Sequence, residues 1–145
     1  VQSDMLLAAL RALRARHGKE SITLVGHSAG GVVARMALVR DQAAGVTRLI
    51  TIASPHLGTE RALQALDATG PGSALYWLNT QPHPRIHYVS LVRAAPFGLG
   101  DLVVPGFSQD LNNVPPLAGK ATVHVTPAAH ALVPADGTML ARLMQ

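Results

Sequence analysis

Ile22-Thr23-Leu24-Val25-Gly26-His27-Ser28-Ala29-Gly30-Gly31 decides the reading of this chain. The first four residues are apolar or β-branched and fit a short buried strand. Gly26 to Gly30 is a G-x-S-x-G pentapeptide, and from about Gly30 to Arg40 the sequence turns to Val, Ala, Met and Leu, as a helix would. Alone the pentapeptide is a weak signal, arising by chance in about one chain in twenty of this length. A strand before it and a helix after it make it specific, because that setting is a nucleophile elbow. The sharp turn lifts the Ser28 hydroxyl above the sheet in a strained backbone conformation. Side chains at the flanking positions Gly26 and Gly30 are expected to clash with the neighbouring strand and helix. The helix N-terminus aims N–H groups and a positive dipole end at the reacting oxygen, making the Ala29 N–H a natural oxyanion donor.

Upstream, Ser3 to His17 reads as an amphipathic helix, with Ser3 or Asp4 as its cap and Gly18 as its stop. Leu6, Leu10 and Leu13 fall on one face, and Arg11 and Arg14 on a solvated one. Downstream, the spacing predicts a strand over Val46 to Ala53, a helix around Glu60 to Ala68 and another turn or two over Ser73 to Leu78. A third strand over Ile86 to Val92, a long Pro- and Gly-rich loop over Arg93 to Lys120, a fourth strand over Ala121 to Thr126 and a closing helix over Asp136 to Met144 complete the pattern. Alternating strands and helices predict an α/β fold, a short parallel sheet of about four strands in three α/β/α layers. With no repeat, low-complexity tract or linker, residues 1–145 read as a single domain.

The totals limit the function classes. In 145 residues, 48% are hydrophobic and 14% charged, which is globular rather than disordered. Aromatics make up 3%, so the core must be built from Ala, Leu and Val. There is no cysteine, which excludes disulfides and thiolate metal sites. No His or Asp spacing compels a metal site, so neither metal nor cofactor is expected. The net charge of +4 is scattered apart from Arg11, Arg14, Arg16 and Lys19. Without a basic face or aromatic platforms, the reading is against nucleic-acid binding. No apolar run is long enough to span a bilayer, the N-terminus shows no signal peptide, and the location stays open. The wealth of Ala, Arg and Gly suits a bacterial origin.

A serine nucleophile needs a base, and the base needs a carboxylate to fix its tautomer and stabilise its positive charge. After an elbow of this type both come later, acid before histidine, each following a strand. Asp101, in Gly98 to Pro105 (GLGDLVVP), follows the third strand. Asp110, deeper in the loop, and Asp136, placed to cap the closing helix, compete with it. His130, in Pro127 to Leu132 (PAAHAL), follows the fourth strand, and His124, inside that strand, competes as a base but reads as a core histidine. His83 and His87 carry no pattern and read as structural.

Four landmarks in order resemble the α/β-hydrolase superfamily, and within it bacterial lipases and esterases: GHSAGG at Gly26 to Gly31, TIASPHLGT at Thr51 to Thr59, GDLVVP at Gly100 to Pro105 and AHALVPAD at Ala129 to Asp136. The resemblance implies a partial α/β-hydrolase fold with Ser28 as nucleophile, Asp101 as orienting acid, His130 as general base and acid, and Ala29 at the oxyanion. His27, His56 and Leu57 would line or support the site. It implies cleavage of small-molecule or lipid carboxylic esters through an acyl-enzyme, with no cofactor and with transient contact to lipid surfaces. Phe97, Leu99 and Leu102 are candidates to line an acyl site. Thioester hydrolysis and acyl transfer use the same triad, and a non-catalytic interaction module is a further alternative. The family's complete fold has strands before the nucleophile strand. Their absence here implies that a second oxyanion donor is missing, a loss of about two to three orders of magnitude in rate. It also implies an unpaired strand edge that invites self-association.

Overall fold

The computed structural model describes residues 2–17, 21–42, 45–58, 74–93, 98–99, 102–104 and 106–126. In chain order the elements are α1 (Gln2–His17), β1 (Ile22–His27), α2 (Ala29–Arg40), β2 (Val46–Ile52), α3 (Ala74–Thr80) and β3 (His87–Arg93). Then come a short pair β4 (Gly98–Leu99) and β5 (Leu102–Val103), α4 (Gly106–Gln109), two turns of 3-10 helix (Leu111–Asn113 and Pro115–Leu117) and β6 (Ala121–Thr126). The helices expected over residues 60–68 and 136–144 lie outside the described residues.

The main sheet has the order β1-β2-β3-β6 and is parallel at every junction. The register aligns Leu24, Leu49, Tyr88 and Ala121 in one row across it. That row packs against Leu10 of α1, Ala34 and Leu38 of α2, Leu111 and Leu117 of the 3-10 turns, and Val114 between those turns. The adjacent row points the other way, and its central members Ile50 and Val89 are buried too. The sheet is therefore covered on both faces, as a three-layer α/β fold requires. Each fully buried Leu, Ile or Val contributes about 1.5–3 kcal/mol. An exposed ion pair such as Arg11–Asp41 at 3.2 Å contributes ~0–1 kcal/mol, so the core holds the fold.

Three sequence expectations change. The apolar run Ile22 to Val25 fits a buried strand, yet Val25 is 39% exposed; among the described residues β1 is the end strand of the sheet, the position the resemblance implied for it. The buried stripe of α1 is Ser3, Leu7 and Leu10, while Leu13 is 42% exposed. Ser3 and Asp4 lie inside the first turn, and both engage Arg40, fastening the start of α1 to the end of α2. Finally, the stretch 93–120 is not a structureless loop, since β4, β5, α4 and both 3-10 turns lie in it. Elements of two to four residues are too short to leave a periodic signal.

Candidate functional site

Ser28 sits where β1 ends and α2 begins, with φ 54° and ψ −128°. A non-glycine residue at positive φ is held there at a cost of about 1–3 kcal/mol. Several contacts hold this one. The Ser28 N–H donates to the Ile52 carbonyl at 2.8 Å, and the Ser28 carbonyl accepts from the Gly31 N–H at 3.1 Å. Ala53, just past β2, is also at positive φ (50°), and its N–H donates to the Leu91 carbonyl at 3.0 Å.

The glycines divide differently from the sequence expectation. A Cβ on Gly26 would lie 2.6 Å from the Gly31 Cα and 2.8 Å from the Gly30 carbonyl carbon, so only glycine fits. A Cβ on Gly31 would come within 2.0 Å of Ser54 Oγ. A Cβ on Gly30 would meet nothing within 4 Å, so the expected clash there is absent. The close approach runs from Gly26 through Gly31 to Ser54, and Gly30 points away from it. Ser54 Oγ is buried without a hydrogen-bond partner among the described residues.

The α2 helix presents two stripes. Ala29, which follows Ser28 in the chain, lines an apolar cavity of ≈ 370 Å³ together with Val32, Val33 and Met36 at helical spacing. Its other walls are Pro55 and Gly58 after β2, and Ala74, Leu75 and Leu78 of α3. The acyl-lining candidates Phe97, Leu99 and Leu102 have side chains outside the described residues, and this cavity is built from other segments.

The second stripe carries Gly31 and Arg35. Arg35 is fully buried. It donates through Nη1 to His56 Nδ1 at 3.1 Å and through Nη2 to Asn79 Oδ1 at 2.5 Å. Its Nε and Nη2 both lie 3.3 Å from His83 Nε2. The tautomers follow from the partners. His83 Nδ1 faces the Gln81 carbonyl at 2.8 Å and must donate, leaving Nε2 to accept. His56 Nδ1 accepts, so its Nε2 donates to Thr51 Oγ1 at 3.0 Å. Burial first, then the Arg35 charge and His83, holds His56 well below the usual histidine range. Burial and Arg35 push His83 down to about 4, against the Gln81 carbonyl. Burial pushes the Arg35 guanidinium itself down to about 9, opposed by Tyr88. At neutral pH the cluster is one cation held by neutral groups.

His56 is fully buried, bonds Arg35 and Thr51, and is not among the residues that line the cavity. Leu57 is half-buried, and its N–H donates to Ser108 Oγ at 3.0 Å. Ser108 in turn donates to the Gly58 carbonyl at 2.6 Å, and its own carbonyl accepts from the His56 N–H at 2.8 Å. His27 ends β1 opposite Ile52. His124 lies in β6 opposite Leu91, and Asp110 caps a 3-10 turn by accepting from the Asn112 N–H at 2.9 Å. Asp101, His130 and Asp136 lie outside the described residues. Asp101 falls between Arg93 and Val104 in the sequence, and one buried side chain bonds both of those residues. Gln109 accepts from the Arg93 N–H and donates to the Val104 carbonyl, each at 2.9 Å.

Arg35, Asn79, His83, Ser108 and Gln109 are absent from the sequence expectations as site residues. Arg35 left one usable signal. It is the sole charge inside the otherwise apolar helix stretch AGGVVARMAL, on the stripe of Gly31 rather than on a polar face. Among the described residues, no group of three or more His, Asp or Glu could hold a metal ion, and no helix is long and apolar enough to cross a membrane.

Among solved structures, the mature lipase BlEst2 of Bacillus licheniformis matches with TM-score 0.71 and 20% identity, over 99% of this chain and 71% of that one. A gene product of Listeria innocua matches with TM-score 0.71 and 18% identity, over 98% of this chain and 63% of that one. A lipase-esterase related protein of Clostridium acetobutylicum matches with TM-score 0.60 and 10% identity, over 98% of this chain and 72% of that one. At these identities the likeness is one of fold, and the chain spans about two thirds of the length of such relatives. No curated protein matches the sequence. The family model of the PGAP1-like alpha/beta domain matches residues 2–126, and the chain belongs to that family, within the α/β-hydrolase superfamily.

Proposed function

We propose that this chain carries the nucleophile of a serine hydrolase that cleaves carboxylic esters. The observation that carries the reading is Ser28, held at positive φ between strand and helix, with the apolar cavity opening beside Ala29. In this reading the acyl group of the ester lies in the cavity and its carbonyl faces the α2 N-terminus. Ser28 Oγ attacks the carbonyl carbon while His130 takes the hydroxyl proton, and Asp101 stabilises the imidazolium. The Ala29 N–H holds the oxyanion. His130 gives its proton to the departing alcohol as the C–O bond breaks, leaving the acyl-serine. Water, deprotonated by His130, then attacks that ester and releases the acid. Thioesters and acyl transfer to another alcohol use the same steps, and the apolar cavity serves any of them.

Two partner proposals accompany this reading. Tyr76 and Trp77 are exposed on α3, the helix that walls the cavity, which supports transient contact with a lipid surface. The end-strand position of β1, with Val25 exposed, supports self-association along that edge.

A fluorophosphonate probe tests the chemistry. The expected result is one covalent adduct on the native chain and none on Ser28→Ala, whose turnover of a short-chain ester falls by at least about a thousandfold. No adduct on a folded native chain would sink the reading. Asp101→Ala with unchanged turnover would move the acid elsewhere.

A further inference from the structure

Three chain segments wall the cavity, and the same three meet at Arg35. The first is α2, which carries Arg35 itself along with Val33 and Met36. The second is the turn bearing Pro55 and Gly58, tied to Arg35 through His56. The third is α3, which supplies Leu75 and Leu78 and is tied to Arg35 through Asn79. Asn79 closes the triangle by donating Nδ2–H to the His56 carbonyl at 2.9 Å.

We propose that Arg35 is a positioning residue that fixes the spacing of the cavity walls and thereby sets the preference for longer acyl groups. This rests on the reading of the cavity as the acyl site. Burying a guanidinium without a carboxylate beside it is costly, and among the described residues the side-chain hydrogen-bond partners of Arg35 are His56, Asn79 and His83, all neutral. A planar fork with donors in fixed directions is suited to holding several segments at set angles, which a lysine ammonium is not. The helix it holds needs that help. At seven residues, with Leu78 as its buried residue, α3 is too short to persist without its docking contacts. A wall that loosens loses contact with long acyl chains while leaving an acetyl group, which lies at the Ser28 end, much less affected.

The test uses Asn79→Ala and Arg35→Lys, with Asn79→Asp as the conservative variant that keeps the acceptor for Arg35. Two quantities are read in folded samples: the ratio of kcat/KM for octanoyl over acetyl p-nitrophenyl ester, and decanoate affinity by calorimetry in a Ser28→Ala background, where no turnover is needed. Asn79→Ala and Arg35→Lys are expected to lower both by about tenfold, and Asn79→Asp, which keeps the acceptor for Arg35 but loses the donor to the His56 carbonyl, to lower them less. Both quantities unchanged in folded Asn79→Ala and Arg35→Lys would overturn the proposal, as would a native chain that binds no decanoate. Decanoate binding that depends on Asn79 and Arg35, in a native chain that takes no phosphonate and turns over no ester, would remove the hydrolase reading and leave the positioning role standing.

Discussion

The two ends of one helix face are held in opposite ways. At the start of α2, chain segments approach because side chains are missing: Gly26 lies on Gly31, and Gly31 on Ser54. About one turn further on, the same face is filled by the largest polar side chain available, and Arg35 is bonded on all sides. The first arrangement fixes geometry by steric exclusion and offers no polar compensation, so the Ser54 hydroxyl is left without a partner. The second fixes geometry by hydrogen bonds whose loss would strand buried polar groups. A contact of the first kind fails when an atom is added, and one of the second kind when an atom is removed.

That contrast can be broken at its sterically closed end. Gly26→Ala is the largest stability loss expected, at least ~3 kcal/mol, because both neighbours of the new Cβ are backbone and cannot rotate away. Urea titration reads this as a lower midpoint at unchanged slope. A loss under 1 kcal/mol would show that the elbow yields.

The polar end is probed by acid. His56 and His83 both have folded pKa values below their ordinary 6.5, with His83 at about 4. The unfolded chain therefore binds more protons than the folded one as pH falls below about 6.5, and folding loses free energy there. Their contribution is intact above about pH 6.5 and declines as pH drops below it, for His83 through its folded value of about 4. Urea midpoints between pH 7.5 and 4 are expected to fall more gently for His83→Gln than for the native chain. Parallel profiles would show that His83 is not a source of acid sensitivity.

The smallest effect sharpens the comparison most. Gly30 lies between the two tight glycines, yet it has open space and helical backbone. Gly30→Ala is expected to stabilise by about 0.5–1 kcal/mol through helix propensity and reduced freedom of the unfolded chain. Destabilisation in the same urea assay would mean that the sterically closed region extends across all three glycines.

The same contrast explains what could be read in the sequence. Close approach demands glycine, and glycine at set spacing is visible, so Gly26 and the turn at Ser28 were legible, as were four strands from their β-branched runs. Which glycine beyond Ser28 carries the approach was not, since that depends on Ser54, 23 positions after Gly31 in the chain. The Arg35 cluster draws on α2, the turn after β2, α3 and the segment after it, and no local pattern encodes such a meeting. His83 looked patternless for that reason. Phe97, Leu99 and Leu102 stand as acyl-lining candidates on apolar composition, and their side chains lie outside the described residues. Asp101 and His130 stand on motif resemblance, beyond the described residues.

Chain order adds one more consequence to the bond from the Ser28 N–H to the Ile52 carbonyl. A ribosome delivers β1 well before β2, and domains assemble from the N-terminal side as they emerge. Until residues 46–54 have arrived, the Ile52 carbonyl that accepts from the Ser28 N–H is missing, and of the two bonds that hold its costly φ only the local one from the Gly31 N–H can form. The strained geometry at Ser28 is therefore completed by a strand made after the residue it holds.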